Sequence, residues 1–204
     1  MPTAEFFSQF GIVAFKDFLD SSLCTELCDA IRDSSRQKGM IRNLDSAEDI
    51  VDEQIKKRSE VSKPKNELVE RVTGKLNKLR PLLEKSYNLK LTGVQPPKFC
   101  LYETGDYYRF HIDAGEYKNI GEYATPRKVS AIVFLNEESQ VPMEGKYSGG
   151  NLTFYGLMQK EAFSKFGLPL VGEEGMLITF PPNLGHEVTE VTSGERYTIA
   201  TWFV

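Results

Sequence analysis

Two regimes of hydrophobic patterning meet near residue 90. In the first, apolar residues recur at helical spacing. Leu23, Cys24, Leu27, Cys28 and Ile31 form one stripe, and Leu68, Val72, Leu76, Leu79 and Leu83 form another. The spacing predicts a helix entered at Ser21 and Ser22, which are good N-caps, and running to about Lys38, where Gly39 stops it. It predicts a second helix over Asn66–Tyr87, kinked or split at Pro81. The apolar run Gly11–Phe15 reads as a strand ahead of both. Between the helices, residues 40–65 have no apolar period. Asp45, Glu48, Asp49, Asp52 and Glu53 give way to Lys56, Lys57 and Arg58, a charge reversal expected of a solvated loop or, alternatively, a lid over a site.

From Leu91 onward the runs shorten and are punctuated by Gly, Pro and Asn. Strands are expected near Lys98–Tyr102, Tyr107–Ile112, Lys128–Leu135, Asn151–Tyr155, Met176–Phe180, Glu187–Val191 and Tyr197–Val204. This cadence suits a sandwich or barrel rather than a parallel sheet with crossover helices. The expected architecture is mainly β, a jelly roll with N-terminal supporting α-helices. Residues 1–204 read as one domain, with 1–90 as strand and helical support and 91–204 as the core.

Composition narrows the function. Hydrophobic content of 40% and charged content of 26% over 204 residues are ordinary for a globular protein. A net charge of -4 gives no electrostatic footprint for nucleic acid or an anionic membrane, and neither is expected as a partner. No apolar run approaches the ~18 residues of a membrane helix. The N-terminus lacks a signal-peptide pattern, and three cysteines form no disulfide framework, so a cytoplasmic location is expected. Cys24 and Cys28, four apart, share the apolar stripe and read as core thiols rather than metal ligands.

Only two histidines occur. His111-Ile112-Asp113 places an imidazole and a carboxylate two apart, on one face of a strand. His186 follows far along the chain, after Phe180-Pro181-Pro182. If the fold unites them, the three form a 2-His-1-carboxylate facial triad, which leaves open positions on non-haem Fe(II). Zinc can be held by the same donors, and histidines often serve only the core. In Arg196–Phe203, alternation puts Arg196, Thr198, Ala200 and Trp202 on one face. An arginine so placed suits a carboxylate, which its planar fork grips through two bonds.

The ordered set Tyr102, Gly105-Asp106, His111-x-Asp113, Arg127, Phe134-Leu135-Asn136, Gly149-Gly150, Pro169, Gly175, Phe180, His186, Val191, Gly194, Arg196 and Trp202 resembles the prolyl 4-hydroxylase-type family of Fe(II)- and 2-oxoglutarate-dependent dioxygenases. The resemblance covers roughly residues 98–204 and implies a double-stranded β-helix. It implies His111, Asp113 and His186 as catalytic iron ligands, and Arg196, Tyr102 and Thr198 around 2-oxoglutarate. Trp202 and Leu152 would line the pocket, and ascorbate is a further candidate cofactor. Asp113 argues against halogenation, since halogenases of this kind lack the carboxylate.

Two departures stand out. Phe134 occupies a position where one subgroup has a tyrosine, so Thr198 would take over its hydroxyl role; Arg196 replaces the lysine of collagen-modifying members. The expected reaction hydroxylates a C–H bond with O₂ and 2-oxoglutarate, releasing succinate and CO₂. The substrate, a prolyl residue in a peptide or protein or a small amino-acid-like molecule, stays open. Tyr108, taken to share the His111 face, and Tyr117, Tyr123 and Trp202 are the candidate substrate contacts. Glu137, Glu138 and Glu144 read as solvated. The alternative is a non-catalytic jelly-roll module that holds a metal for structure or sensing.

Overall fold

The computed structural model describes residues 4–43, 48–117, 121–123, 127–157 and 166–204. Among the described residues, three helices, α1 (Ala4–Ser8), α2 (Ser21–Asp33) and α3 (Asn66–Tyr87), accompany eighteen short strands. The major sheet has the order β1 (Val13–Phe15), β15 (Leu177–Phe180), β11 (Val129–Phe134), β18 (Arg196–Phe203), β7 (Lys98–Tyr102), β6 (Ser59–Val61) and β2 (Arg36–Lys38). A minor sheet has the order β14 (Leu168–Leu170), β13 (Leu152–Phe154), β16 (His186–Val188), β8 (Tyr107–His111) and β5 (Lys56–Lys57). Every pairing within both sheets is antiparallel. Three ribbons are also present among the described residues: β3 (Ile41–Arg42) with β4 (Asp49–Ile50), β9 (Gly115–Tyr117) with β10 (Gly121–Tyr123), and β12 (Ser148–Gly149) with β17 (Val191–Ser193). The expected mainly β, jelly-roll architecture is the one found.

The helices cover one face of the major sheet. Leu23, Leu27 and Ile31 of α2 and Leu68, Val72, Leu76 and Leu83 of α3 pack with Phe99, Leu101, Val129, Val133, Tyr197, Ile199 and Phe203. Burying that much apolar area makes this layer the main source of stability. Cys24 and Cys28 lie in it as free thiols, and burial pushes both up to about 12, in keeping with a core role.

Three expectations need correction. The first helix ends at Asp33, not near Lys38, and its N-cap is Asp20, whose carboxylate accepts from the Leu23 N–H at 2.9 Å. Arg36–Lys38 instead pairs with β6, so a polar stretch of good helix formers is drawn into the sheet edge by the ladder it completes. Second, of the kink or split expected at Pro81, the split does not occur: α3 runs unbroken through it, with the ring on the exposed side, where solvent serves the carbonyl left without a partner.

The third correction is the largest. Residues 56–57 and 59–61, expected within a solvated loop or lid, are strands of the two sheets. Lys56 and Lys57 pair with β8 of the minor sheet, and Ser59 and Glu60 pair with β7 of the major one, so the chain crosses from sheet to sheet at Arg58. Lys56, Arg58 and Glu60 alternate along this crossing and are all buried. Gly39 marks no helix end; a Cβ there would come within 2.9 Å of the Lys56 Cε and 3.1 Å of the Arg58 Cγ, so its hydrogen gives the ionic cluster room.

Candidate active site

Between the sheets lies a cavity that His111, Asp113, His186, Arg196, Thr198, Tyr102, Tyr108, Leu152 and Trp202 help to line. β16 pairs with β8 so that His186 lies opposite His111, which joins two histidines far apart in sequence. One ligand atom from each of His111, Asp113 and His186 lies within 4.8 Å of the others. The Asp113 Oδ1 is 3.8 Å from the His111 Nε2, and its Oδ2 is 3.7 Å from the His186 Nε2.

Each ring is held from behind. The His111 Nδ1 sits 2.8 Å from the Arg109 carbonyl, and the His186 Nδ1 sits 2.8 Å from the Leu184 carbonyl. With Nδ1–H donating to a carbonyl, each Nε2 keeps a lone pair aimed at Asp113. Burial, reinforced by the neighbouring His186, holds His111 well below the usual imidazole range, which favours the neutral, ligating form. Burial pushes the Asp113 carboxyl up, but His186, His111 and the Ser130 hydroxyl together bring it below its ordinary value. The Ser130 Oγ donates to the Asp113 Oδ2 at 2.6 Å. The Trp202 indole N–H also lies near this carboxylate without meeting hydrogen-bond geometry.

Strand alternation is not what aims Asp113. β8 ends at His111, and Asp113 lies in a bend whose N–H donates to the Pro182 carbonyl at 2.7 Å. The Pro181-Pro182 turn that leads to His186 therefore also fixes the carboxylate. A register shift between β16 and β8, where His186 faces His111 but Val188 faces Tyr108, adds an extra residue to β8. Simple alternation would send Tyr108 and His111 to opposite faces. The bulge lets them stack instead, with ring centroids 3.5 Å apart.

Arg196 begins β18 opposite Tyr102 and is 1% exposed. Its guanidinium lies 5.1 Å from the Tyr102 ring and 5.1 Å from the Phe134 ring, and its Nη1 reaches only the Thr198 Oγ1, at 3.5 Å. Among the described residues, its Nε and Nη2 are buried with no hydrogen-bond partner. Gly150, at φ +62, leaves the space that its Cδ requires. A buried guanidinium with two orphaned donors is costly by itself and suits a carboxylate entering the cavity. The Tyr102 hydroxyl accepts from the Arg58 Nη1 at 2.7 Å, so a second buried arginine orients it.

The structure therefore unites His111, Asp113, His186, Arg196, Thr198, Tyr102, Tyr108, Leu152 and Trp202 around one cavity. Tyr117 and Tyr123 lie on the β9–β10 ribbon, but their side chains fall outside the described residues. Glu138 is not simply solvated: half-buried, it accepts from the Asn151 Nδ2 at 2.7 Å. Ser130, Tyr147 and the Lys56–Arg58–Glu60 crossing were missed from sequence. The Tyr147 hydroxyl, close to Arg196 and without a hydrogen-bond partner among the described residues, stands near the place left by Phe134. Lys56, Arg58 and Glu60 alternate at period two, a strand signal that their charge concealed.

The donor set and the orphaned arginine fit a divalent metal and a dicarboxylate side by side. Comparison with known proteins agrees. Residues 97–204 match the family model described as the 2OG-Fe(II) oxygenase superfamily. A PKHD-type hydroxylase of Nitrobacter winogradskyi is 31% identical over 137 residues, 67% of this chain and 54% of that one. Another, from Pseudoalteromonas atlantica, is 31% identical over 53% of this chain and 43% of its own length. The chain thus spans about half the length of these relatives. Among solved structures, a Pseudomonas putida prolyl-4-hydroxylase superposes with a TM-score of 0.67 at 21% identity, covering 98% of this chain and 95% of that one. A Trichoplax adhaerens prolyl hydroxylase, solved with a hypoxia inducible factor peptide, gives 0.69 at 18% identity, covering 98% and 86%. With the matched segment carrying the two histidines, Asp113 and Arg196, the chain belongs to the 2OG-Fe(II) oxygenase superfamily, whose cofactors are Fe(II) and 2-oxoglutarate.

Proposed function

We propose that the protein is a 2-oxoglutarate-dependent dioxygenase that hydroxylates a C–H bond of a prolyl residue in a peptide or protein, or of a small amino-acid-like molecule. The observation that carries the reading is the pairing, within one cavity, of the compact His111–Asp113–His186 set with a buried Arg196 that has two unused donors. A structural or sensing metal site has no need of the second feature.

His111, Asp113 and His186 would hold Fe(II), and Arg196, aided by Thr198 and Tyr102, would hold the distal carboxylate of 2-oxoglutarate. When bound, iron and cosubstrate supply the oxygen activation that ends in succinate, CO₂ and a hydroxylated product. The chain's own residues bind, orient and exclude water. Ser130 keeps the Asp113 carboxylate turned toward both imidazoles, and the Arg109 and Leu184 carbonyls fix the rings. Tyr108 and Trp202 form aromatic walls over which substrate would lie. Residues 91–204 would act as the catalytic core, with 1–90 supporting it in the same domain.

The test is succinate formation from 2-oxoglutarate with Fe(II) under air, against a panel of prolyl peptides and free amino acids. The reading expects succinate in step with a hydroxylated product. A protein that binds metal but consumes no 2-oxoglutarate with any partner would be a binding module instead.

A further inference from the structure

The protein carries a formal charge of -4, yet its cavity wall is strongly cationic. Arg42, Lys56, Arg58, Lys98, Arg127 and Arg196 line it. Much of this charge has an assigned partner under the oxygenase reading, on which this inference rests. Fe(II) would be balanced by Asp113 and one carboxylate of 2-oxoglutarate, and Arg196 by the other. Arg42 is paired with Asp49 at 3.3 Å. What remains is Lys56, Arg58, Lys98 and Arg127, with Glu60 as the counter-ion among the described residues.

Glu60 is shared three ways. Its Oε1 lies 2.7 Å from the Arg58 Nη2 and 2.9 Å from the Lys56 Nζ, and its Oε2 is 3.5 Å from the Lys98 Nζ. Burial, then the neighbouring Arg58 charge, pulls Lys56 down to about 7, as expected where cations crowd. Even with Lys56 neutral, cations outnumber the carboxylate. With more cations than carboxylates along it, this wall is complementary to a further anion.

Two of these cations keep donors in hand. The Lys98 side chain is 39% exposed, and among the described residues the only ion pair of its ammonium, which has three hydrogens, is the long one to Glu60. Arg127 spends Nε on the Gln95 Oε1 and Nη1 on the Asp113 carbonyl, which leaves Nη2 without a hydrogen bond among the described residues. Both approach Trp202: the Arg127 Cζ stands 3.6 Å and the Lys98 Nζ 5.9 Å from its ring. Arg58 has all three nitrogens bonded and contributes field rather than contact.

We propose that the substrate to be hydroxylated presents a carboxylate, received by Lys98 and Arg127 beside Trp202. The α-carboxylate of a free amino acid and an acidic side chain of a peptide share this chemistry.

The test uses the full chain loaded with Mn(II) and 2-oxoglutarate, which does not turn over, and reads binding from paramagnetic relaxation of probe protons. One arm sets L-proline, L-glutamate and L-lysine each against its α-carboxamide. The other sets N-acetyl-aspartyl-proline amide against N-acetyl-asparaginyl-proline amide. At least one charged probe should bind tenfold or more tightly than its neutral twin, and the arm that responds names the source of the carboxylate. Lys98→Met should bring that preference near unity, whereas Lys98→Arg should keep most of it, with 2-oxoglutarate affinity moving less than twofold in either. Equal affinity within every pair, no binding by any probe, or a preference that survives Lys98→Met would overturn the proposal. Failure of the unmutated protein to bind 2-oxoglutarate with Mn(II) would overturn the oxygenase reading itself.

Discussion

The two faces of β18 share a backbone and little else. One face turns Tyr197, Ile199 and Phe203 into the helix-covered core, where the apolar groups fill space and the Tyr197 hydroxyl finds its partners in Arg32 and Glu195. The other turns Arg196, Thr198, Ala200 and Trp202 into the cavity, with donors on Arg196 and Trp202 left unpaired. The first face stabilises. The second stores polar groups whose partners must come from outside, and the rigid first face is what can hold them in place. If this division is correct, substitutions on opposite faces should fail in opposite ways.

The largest effect is expected at the ligands. His111→Ala or Asp113→Ala should lower turnover by at least ~100-fold, with the melting temperature little changed; a variant that keeps substantial turnover would remove its residue from the metal set. Arg196→Ala should weaken 2-oxoglutarate by about 2–5 kcal/mol and metal affinity far less, as titration calorimetry can separate. Equal losses of both would assign the arginine to the fold. Across the strand, Ile199→Ala should destabilise by about 2–5 kcal/mol in a denaturant melt while leaving 2-oxoglutarate affinity intact below the transition. Ser130→Ala, which removes one bond to Asp113, should cost ~10–100-fold in metal affinity without loss of fold.

The smallest effect concerns Lys56. Its folded pKa of about 7 lies below the unfolded lysine value of ~10.4. Between those two pH values the unfolded chain binds more protons, so this group makes stability rise with pH across that window and contributes no slope outside it. Lys56→Met should flatten the rise in a series of denaturant melts; an unchanged slope would mean that Lys56 is charged in the fold.

How much of this could be read from sequence follows the same division. The aliphatic stripes Leu23–Ile31 and Leu68–Leu83 announce helices because their period is local. The alternation of β18 is equally local, and it separated Arg196 and Trp202 from Ile199 correctly. His111, Asp113 and His186 were legible as a set, though not for the full reason: Asp113 is aimed by the Pro182 carbonyl, a contact between distant segments. The β8 bulge that stacks Tyr108 on His111 leaves no composition signal. Lys56, Arg58 and Glu60 were misread because charge usually means solvent, and only their mutual neutralisation in space permits burial. Arg36–Lys38 was misread as helix because a sheet edge, not propensity, decides its state.

The central claim is that one cavity takes Fe(II) on His111, Asp113 and His186 and 2-oxoglutarate on Arg196 together. Anaerobic titration of the Fe(II)-loaded protein with 2-oxoglutarate, read by the charge-transfer absorption of the chelate, tests it most directly. The account predicts a saturable band at one cosubstrate per chain, absent in Asp113→Ala and shifted to much higher concentration in Arg196→Ala. A band that saturates identically in the unmutated protein and in both variants, or no band in the unmutated protein, would contradict it.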